Sequence, residues 1–349
     1  MVILVTGGAG FVGSAVVDEL VTAGHEVRVV DLLLPAAHPG VPGYLNAGAT
    51  YHWGDLADPD VARAAVRGVD AICHQASLVG LGVDFSDVTR FAHHNVVATA
   101  QLLACMHDTG FAGRIVLAGS MAVYGEGRYR CPRHGMTRAA ERRPADLAAR
   151  RYDPCCPECG ATLCAERIAE DETPLPRSVY AATKLHQEHL CEAWGREHAT
   201  PVVTLRYHNV YGPRMPASSP YSGVAALIRS AYERGVAPTI HEDGLQLRDF
   251  VNVDDVAVAN RLALTAPGCA GGTYNVGSGE AHTILDLARA LAGAIPGSPA
   301  PVPAHTWRAG DVRHVLASTD RAARILGFTA AVPFDTGMAA FARSALRGD

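Results

Sequence analysis

The sequence predicts an α/β protein built on a doubly wound parallel sheet, with a smaller lobe towards the C-terminal end. Short apolar strands alternate with helical stretches over residues 2–117, which is typical of a parallel sheet covered by helices on both faces. The first strand runs directly into a glycine-rich turn that opens a helix. The 349 residues, of which 48% are hydrophobic and 19% charged, are enough for two lobes with an ample core.

Composition argues against several classes of partner. The formal net charge is −5, so neither a nucleic acid nor an anionic membrane surface is expected to bind. No apolar run reaches the length of a membrane span, and the apolar stretch 2–5 is too short for a signal peptide. We therefore expect a cytoplasmic protein, in which the nine cysteines do not form disulfides.

The first strand, turn and helix form a candidate dinucleotide cradle. The strand is followed by Thr6-Gly7-Gly8-Ala9-Gly10-Phe11-Val12-Gly13-Ser14 and then by a helical pattern through residue 23. Glycines at 7, 10 and 13 permit a tight turn, close approach of the backbone to a pyrophosphate, and close packing of helix on strand. The helix N-terminus offers unpaired N–H groups to the phosphates. A turn that serves packing alone is the alternative.

An acidic residue at the end of the second strand indicates which dinucleotide binds. Asp31 follows strand 27–30 and lies 18 residues beyond Gly13. Its carboxylate would hydrogen-bond the adenosine ribose hydroxyls and repel a 2′-phosphate. No arginine follows it in the stretch 32–34, so the expected cofactor is NAD rather than NADP.

The strand-helix alternation continues and places further polar residues at strand ends. Asp55, after the third strand, would reach the adenine amino group. The fourth strand, 70–77, leads into a loop, and the long helix that follows, at about 85–107, contains Asn95. The fifth strand, 114–117, runs towards Ser120. Ligands of such sheets bind at the carboxyl ends of the strands.

Lys184 is the only lysine among the thirty basic residues of the chain. It lies four residues after Tyr180, so the two side chains share one face of a helix. A compact ammonium at this position would favour the ionised phenol, whereas a bulkier guanidinium would not replace it as a point charge. Because a free tyrosine has a pKa of about 10, a base near pH 7 needs a shift of roughly three units. The alternative is an ordinary helix with an exposed lysine.

Together these residues resemble the extended short-chain dehydrogenase/reductases, in particular the NAD-dependent nucleotide-sugar epimerase and dehydratase family. The resemblance covers nearly the whole chain. It is carried, in chain order, by the glycine turn 6–13, Gly54-Asp55, His74-Gln75-Ala76, Ser120 to Gly125, Tyr180-x-x-x-Lys184, Arg206-x-x-Asn209 to Arg214, Asp243 to Val256, Asn275 to Gly279, and Arg308-x-Gly310-Asp311 to His314.

The resemblance implies an NAD-binding Rossmann fold and specific roles. Tyr180 would be the acid/base, Lys184 would bind the nicotinamide ribose and tune Tyr180, and Ser120 would hydrogen-bond the reacting sugar hydroxyl. The residues expected to contact the cofactor are Gly7, Gly10, Phe11, Val12, Gly13, Asp31, Asp55, Leu56, Gln75, Ala76, Ser77, Asn95, Tyr180 and Lys184. Those expected to contact the substrate are Val79, Ser120, Tyr180, His208, Asn209, Arg214, Gln246, Arg248, Arg308 and Asp311. Arg248 and Arg308 would bind the diphosphate.

The reaction is narrowed by what the sequence lacks. Dehydratase relatives carry Asp-Glu after the serine position, where this chain has Met121-Ala122, so dehydration is not expected. No acidic helper for decarboxylation is evident either. The resemblance therefore implies 4-epimerisation of a nucleotide-sugar: Tyr180 takes the C4 hydroxyl proton as hydride passes to NAD, and the hydride returns to the other face. The alternatives are a reductase or dehydrogenase of the same fold, or a non-catalytic NAD-sensing protein.

Some stretches are closer to the dTDP-L-rhamnose 4-epimerase-like group. These are Ser120-Met121 with Tyr124 to Gly127, Ser219-Pro220-Tyr221-Ser222-Gly223-Val224, and Glu242 to Gln246. His208 departs from the family, in which a phenylalanine is usual between Arg206 and Asn209. The substrate would be an NDP-hexose or an NDP-6-deoxyhexose, and the base and sugar stay open.

A cysteine-rich insertion at 126–177 separates Gly125 from Tyr180. It holds Cys131-Pro-Arg-His134-Gly and Cys156-Pro-Glu-Cys159-Gly, two knuckle patterns that together give four ligands for tetrahedral zinc. We expect a structural zinc site, with Cys155 or Cys164 as possible replacements for one ligand. The insertion is also basic and would act as a lid over an anionic substrate if it lies beside the site.

The domain boundaries follow from these assignments. Residues 1–205 are expected to form the NAD-binding domain, with the zinc insertion at 126–177. Residues 206–349 would form the substrate-binding lobe, with about 240–265 returning to the NAD domain. The helices at 85–107 and 178–198 are apolar on more than one face, so family analogy predicts a homodimer through a four-helix bundle.

Overall fold

The computed structural model describes residues 1–35, 37–38, 40–80, 84–217, 222–308 and 310–347. The expected substrate-lobe stretch 219–221 lies outside them. The strands are β1 Val2–Thr6, β2 Glu26–Asp31, β3 Ala49–Trp53, β4 Ala71–His74, β5 Arg114–Ser120, β6 Arg128–Cys131, β7 Gly135–Thr137, β8 Cys164–Ile168, β9 Val202–Tyr207, β10 Asn209–Tyr211, β11 Leu247–Arg248, β12 Phe250–Asn252, β13 Gly272–Val276, β14 His282–Thr283 and β15 Leu316–Ala317.

The α-helices are α1 Phe11–Thr22, α2 Pro59–Val66, α3 Val88–Phe91, α4 Ala98–Asp108, α5 Pro144–Ala148, α6 Val179–His198, α7 Val224–Glu233, α8 Val253–Thr265, α9 Ile284–Ala294 and α10 Phe334–Arg343. Short 3-10 segments occupy Phe85–Asp87 and Met121–Tyr124, and π-helical segments occupy Ala92–Val97 and Ala322–Leu326.

Seven of the described strands form one sheet in the order β13-β9-β5-β4-β1-β2-β3. Every neighbouring pair in it is parallel, with registers such as Ile3 opposite Ala71 and Ser120 opposite Tyr207. The order reverses at β1, with β2 and β3 on one side and β4 and β5 on the other. The predicted doubly wound parallel sheet is therefore confirmed.

Apolar clusters cover the two faces of this sheet. On one face Val16, Val17 and Leu20 of α1 pack with α8 residues such as Val256. On the other face α2, α4 and α6 contribute residues that include Leu102, Met106 and Trp194. Because both faces are covered, the central strands β1, β4 and β5 are almost continuously buried, whereas the edge strand β3 is largely exposed.

The part of the C-terminal half that packs on the nucleotide domain is longer than the sequence predicts. We expected this part to end near residue 265, and α8 does pack on α1. However, β13 at 272–276 also joins the large sheet as an edge strand beside β9. The chain crosses into the substrate lobe after β13, about ten residues later than expected.

The predicted long helix at 85–107 is built from four successive segments. A 3-10 turn and α3 lead into the π-helical segment Ala92–Val97, which continues into α4. Asn95, fully buried, lies within the π segment. Its side chain hydrogen-bonds the backbone of Leu78 and the hydroxyl of Thr183, so the widened turn places an amide between the 75–78 loop and α6.

The insertion forms a small sheet that is completed by the C-terminal lobe. Its strands pair in the order β15-β8-β6-β7, with β15 contributed by residues 316–317. Tyr129, Cys131, Cys156 and Leu163 make its small core. Arg313, 1% exposed, joins the insertion residue Asp153 to Glu242 and Asp243. The insertion is therefore fixed to the C-terminal lobe by ion pairs.

Helices α7, α9 and α10 pack together as the core of the C-terminal lobe. Helix α10 was not expected from the sequence, because Gly337 lies at its centre and weakens the helical pattern. A Cβ on Gly337 would lie 1.9 Å from the Tyr211 hydroxyl, so the glycine allows the helix to approach β10. Among the described residues, no helix combines the length and apolar character that crossing a membrane requires.

Candidate functional site

The glycine turn after β1 adopts the compact form that its sequence predicts. Gly7 has a φ of +68°, and a Cβ there would lie 2.7 Å from the backbone of Ala76. A Cβ on Gly13 would lie 2.1 Å from the Gly7 carbonyl oxygen. These two glycines bring the N-terminus of α1 against β1 and the 75–78 loop. The free N–H groups of α1 therefore open towards the carboxyl edge of the sheet.

Asp31 lies beside this turn at the end of β2. One carboxylate oxygen accepts the Ala9 N–H at 3.0 Å and the other accepts the Leu33 N–H at 2.8 Å. The acid is thus held next to the glycine turn, where a ribose bound to the turn would meet it.

A buried hydrogen-bond network around His74 stabilises the glycine turn. The His74 ring joins Thr6 at 2.7 Å and Thr99 at 2.9 Å, and Gln187 of α6 donates to the Thr99 hydroxyl. Burial, together with the charge of Lys184, lowers the pKa of His74 to about 3. The ring is therefore neutral at pH 7 and links β1, β4 and α6 without adding charge.

Other side chains expected at the cofactor have partners within the protein. Asp55 accepts from His93 at 3.0 Å. The Gln75 amide donates to Asn260 at 2.9 Å and to the Tyr207 hydroxyl at 3.0 Å, which turns it towards α8. The amide of Asn95, as described above, ties the 75–78 loop to α6. The side chains of Gln75 and Asn95 therefore stabilise the glycine turn and the 75–78 loop. This arrangement favours a structural role for both side chains over direct contact with a cofactor.

Ser120 and Tyr180 meet at the carboxyl edge of the sheet. Ser120 ends β5, and its hydroxyl accepts the Ala122 N–H at 3.2 Å. Tyr180 lies in the first turn of α6, which is capped by the hydroxyl of Ser178 on the Ala181 N–H. Burial raises the pKa of Tyr180, and a hydrogen bond with the Ser120 side chain lowers it in part.

Lys184 lies one turn further along α6 and is 2% exposed. Burial lowers the pKa of its ammonium to about 8, while the charge of Glu188 opposes this shift. We expected the ammonium to favour the tyrosinate, but the pKa of Tyr180 is raised, and Ser120 is what opposes the rise. In the protein alone, burial outweighs the opposing effect of the Ser120 hydrogen bond on the pKa of Tyr180.

Three of the expected substrate residues present buried polar atoms without hydrogen-bond partners among the described residues. They are both ring nitrogens of His208, Oδ1 of Asn209 and Oε1 of Gln246. His208 directly follows β9, whose last residue pairs with Ser120, and it is 4% exposed. Buried polar atoms are normally satisfied, so these atoms mark a place where a polar ligand would bind.

Two arginines expected on the substrate side have partners within the protein. The Arg248 guanidinium donates to the carbonyls of Leu247, Val312 and Arg313. Arg214 pairs with Asp18 of α1 at 2.7 Å and lies over the Tyr44 ring. The Arg214 side chain therefore lies against α1, and its contact with the substrate stays a prediction.

The remaining substrate-side residues lie at the surface. Val79 is 43% exposed at the end of the 75–78 loop, and Arg308 is also exposed. The backbone carbonyl of Asp311 accepts from Arg142 of the insertion. The basic insertion is not a free cationic lid, since Arg142 pairs with Glu242 at 2.6 Å, and Arg138, Arg143 and Arg151 also have acidic partners.

The four expected metal ligands converge in the insertion. The ligand atoms of Cys131, His134, Cys156 and Cys159 all lie within 4.8 Å of one another. Sγ of Cys131 is 3.7 Å from Sγ of Cys159, and Nδ1 of His134 is 3.4 Å from Sγ of Cys156. Tetrahedral zinc, with Zn–S bonds of about 2.3 Å and Zn–N bonds of about 2.0 Å, needs S···S separations of roughly 3.8 Å and N···S separations of roughly 3.5 Å. Cys155 and Cys164 are exposed and lie outside this cluster.

One buried pair beside the site was missed at the sequence level. Glu188, four residues beyond Lys184, pairs with Arg206 of β9 at 2.7 Å. The helical spacing 180, 184, 188 placed Glu188 on the same face of α6 as the catalytic candidates, and this signal was available. Its partner Arg206 was not predictable from local spacing, because the contact joins α6 to a strand.

Comparison with known proteins agrees with this geometry. A profile of the NAD dependent epimerase/dehydratase family matches residues 3–146 and 160–277. A dTDP-L-rhamnose 4-epimerase of Burkholderia thailandensis is 37% identical over 93% of this chain and 90% of its own length. A UDP-glucose 4-epimerase of Streptomyces lividans is 28% identical over 93% of the chain and 90% of its own.

Two solved structures resemble the whole chain. The UDP-glucose 4-epimerase of Thermus thermophilus in complex with NAD superposes with a TM-score of 0.78 at 30% identity, covering 98% of both chains. The UDP-glucose 4-epimerase of Thermotoga maritima with UDP-glucose gives a TM-score of 0.80 at 27% identity, covering 98% of this chain and 97% of its own. With a family profile over most of its length and a relative above 30% identity, this chain belongs to the NAD-dependent epimerase/dehydratase family.

Proposed function

We propose that the protein is an NAD-dependent nucleotide-sugar 4-epimerase. The observation that carries this proposal is the placement of Ser120, Tyr180 and Lys184 together at the carboxyl edge of the sheet, next to the glycine turn. A regulatory protein that only senses NAD has no need for this group of three. Relatives named as 4-epimerases support the same reading.

The cofactor would lie along the glycine turn with its adenosine ribose at Asp31. Glycine at 7, 10 and 13 leaves the backbone open to its diphosphate, and the N-terminus of α1 supplies N–H groups there. When bound, NAD accepts a hydride from the sugar and returns it. Lys184 would contribute a buried cation for which the described residues provide no hydrogen-bond acceptor.

Tyr180 would act as the acid/base at the C4 hydroxyl of the sugar. Because the pKa of the free side chain is raised by burial, the phenol is protonated in the protein alone. A positive charge brought by the oxidised cofactor, added to that of Lys184, would lower this pKa. The Ser120 hydroxyl would orient the sugar hydroxyl against the Tyr180 oxygen, and the proton would move between these groups in each half-reaction.

The substrate would be an NDP-hexose or NDP-6-deoxyhexose. The unpartnered polar atoms of His208, Asn209 and Gln246 favour a ligand with several hydroxyl or phosphate groups on this side. A dTDP-6-deoxyhexose is the first candidate, since the dTDP-L-rhamnose 4-epimerase of B. thailandensis is 37% identical. Arg308 and Asp311 would complete the diphosphate side, and Arg248 would shape it.

The test is incubation of the purified protein with dTDP-, UDP-, GDP- and CDP-sugars, followed by separation of the C4 epimers. We expect one nucleotide-sugar to equilibrate with its C4 epimer without net formation of NADH. Net NADH or a stable keto product would instead support a dehydrogenase or reductase of the same fold. Failure of every nucleotide-sugar to form an epimer would contradict the proposal.

We also propose a structural zinc at Cys131, His134, Cys156 and Cys159. The Arg133 N–H donates to Sγ of Cys131 at 3.4 Å, and Nε2 of His134 lies 3.7 Å from a carboxylate oxygen of Glu158, both of which suit a metal-bound thiolate and imidazole. Four protein ligands leave no position for chemistry, so the metal would only stabilise the insertion. Metal analysis should find about one zinc per chain, and less than about half would contradict the site.

We also propose that the chain divides into an NAD-binding domain, a substrate lobe and a zinc insertion. We further propose that it forms a homodimer. Val97 is 48% exposed, and Ala100, Ala104 and Ala182 are also exposed on the two helices expected to pair. Sedimentation of wild-type protein and of Val97→Arg would test the dimer. A monomeric wild-type protein would contradict it.

A further inference from the structure

The guanidinium of Arg347 lies at the glycine turn near the Tyr44 hydroxyl, whose pKa burial raises and the charge of Arg347 lowers in part. Nε and Nη1 are buried and make no hydrogen bond among the described residues. Nη1 is 3.9 Å from the position that a Cβ on Gly10 would take, and Gly10 is the N-cap of α1. No carboxylate oxygen in the described part of the chain comes within 4.0 Å of this guanidinium.

Backbone contacts on both sides hold Arg347 in this position. Its N–H donates to the Met215 carbonyl at 2.9 Å, and its carbonyl accepts the Ala217 N–H at 3.0 Å. Leu346, 5% exposed, packs in the same cluster as Met215. Residues 346–347 are therefore attached to the 214–217 segment. This attachment places the Arg347 side chain beside the glycine turn.

The surroundings of Arg347 also contain an unsatisfied buried histidine. His38 is 5% exposed, and its Nδ1 has no partner among the described residues. Burial and the charge of Arg347 lower the pKa of His38, while the charge of Asp31 opposes this shift. The Tyr44 hydroxyl donates to the Ala9 carbonyl at 2.8 Å and closes the same side of the turn.

We propose that Arg347 binds the diphosphate of the dinucleotide cofactor and closes the glycine turn from the C-terminal end of the chain. A partly buried cation with two buried, unpartnered nitrogens and no carboxylate within 4.0 Å among the described residues lies at the N-terminus of α1. It is suited to an anion that also meets the helix N–H groups. The contact would be with the diphosphate rather than with a 2′-phosphate. Asp31 occupies the ribose side, whereas the guanidinium approaches Gly10, where the backbone is open.

This assignment adds a residue from outside the family's motifs to the cofactor site. It rests on the proposed binding of NAD but not on the sugar reaction. A hydrogen bond to a charged group corresponds to a factor of about 10 to 100 in affinity. Arg343, exposed on α10, offers a matched control in the same part of the chain.

The test is calorimetric titration of nucleotide-free wild-type protein, Arg347→Gln and Arg343→Gln with NAD, ADP and adenosine. We expect Arg347→Gln to bind NAD and ADP about 10- to 100-fold more weakly, with adenosine affinity and melting temperature unchanged. Arg343→Gln should match the wild type throughout. Unchanged affinity for NAD and ADP, or an equal loss for adenosine, would overturn the inference. A wild-type protein that binds NAD but epimerises no sugar would contradict the proposed reaction and leave this inference intact.

Discussion

The carboxylate of Glu188 accepts two hydrogen bonds from the Arg206 guanidinium, one from Nη2 at 2.7 Å and one from Nε at 3.1 Å. Both residues are at least 95% buried. A Cβ on Gly119, the residue before Ser120, would lie 3.1 Å from this carboxylate. The pair therefore lies directly behind the end of β5, one helical turn beyond Lys184, and it sets the charge that the lysine experiences.

Replacing Glu188 by glutamine should move the alkaline limb of the activity profile to lower pH. The pKa of Lys184 is about 8, since burial lowers it and the Glu188 charge opposes the fall. Without that charge the ammonium would lose its proton at a lower pH, and activity that needs the charged form would fall earlier as the pH rises. The measurement is kcat/KM between pH 6 and 9.5.

Glu192→Gln is the matched control for this change. Glu192 lies one turn further along α6, with its side chain 41% exposed beside Arg196, and its loss should leave the profile unchanged. A Glu188→Gln enzyme with a lower melting temperature but an unmoved alkaline limb would show that the pair serves stability alone. Glu188→Ala should cost about 3–5 kcal/mol of stability, because it leaves a buried guanidinium unpaired.

Lys184 should show a conflict between activity and stability. Its pKa in the folded protein is about 8, against an ordinary 10.5, so the folded state binds the proton less well than the unfolded chain does. This penalty is full below pH 8 and disappears as the pH rises towards 10.5; at pH 7 it is about 3 kcal/mol. Lys184→Met should therefore lose activity yet unfold at a higher temperature at pH 7, with the gain shrinking above pH 8.

The matched charged variant is Lys184→Arg, which we expect to keep the fold and lose most activity. An arginine carries the charge, but its fork is too large for a site that is 2% exposed. Arg196→Lys, on the exposed face of the same helix, should have no effect on turnover. Wild-type turnover in Lys184→Arg would refute the importance assigned to the lone lysine.

The sequence predicted those features that depend on neighbours in the chain. The glycine turn, Asp31 at the end of β2 and the helical spacing of Tyr180 with Lys184 are local, so their geometry follows from strand, turn and helix rules. The shape of each cysteine knuckle is also local, since each is a tight turn followed by a glycine, Gly135 with φ +71° and Gly160 with φ +70°.

Features that depend on tertiary contacts were not predictable in this way. The carbonyls of Val312 and Arg313 come within reach of the Arg248 guanidinium because β11 lies against the 312–315 segment. The ion pair of Arg214 with Asp18 likewise joins residues that are distant in the chain. Strand β13 pairs with the outer edge of β9 in the large sheet. The pattern of residues in β13 does not reveal which strand it will pair with.

His208 should decide how the enzyme chooses its sugar. It stands where the family resemblance implies a phenylalanine, and both ring nitrogens are buried without a hydrogen-bond partner among the described residues. Burial lowers its pKa, so a neutral ring would offer one donor and one acceptor to a sugar hydroxyl. His208→Phe should raise KM for the preferred sugar about tenfold, in proportion to one lost hydrogen bond, with a smaller change in kcat.

The comparison for this variant is His186→Phe, which changes an exposed histidine of α6 and should leave KM unchanged. Both enzymes should be assayed on two sugars that differ at one hydroxyl. Equal loss on both sugars, or a fall in kcat with KM unchanged, would contradict a role for His208 in sugar choice.

Loss of the proposed zinc from the insertion should weaken nucleotide-sugar binding and leave the catalytic residues in place. The insertion holds the 311–315 segment through Arg142 and through Asp153 on Arg313, and that segment supplies the carbonyls that fix Arg248. Cys156→Ser should lose the metal, lower the melting temperature and raise KM, while co-purified NAD is retained because the glycine turn is untouched. Cys164→Ser, exposed and outside the cluster, should keep metal, stability and KM. An unchanged KM in Cys156→Ser after loss of the metal would contradict this prediction. It would show that Arg248 is held in place without support from the insertion.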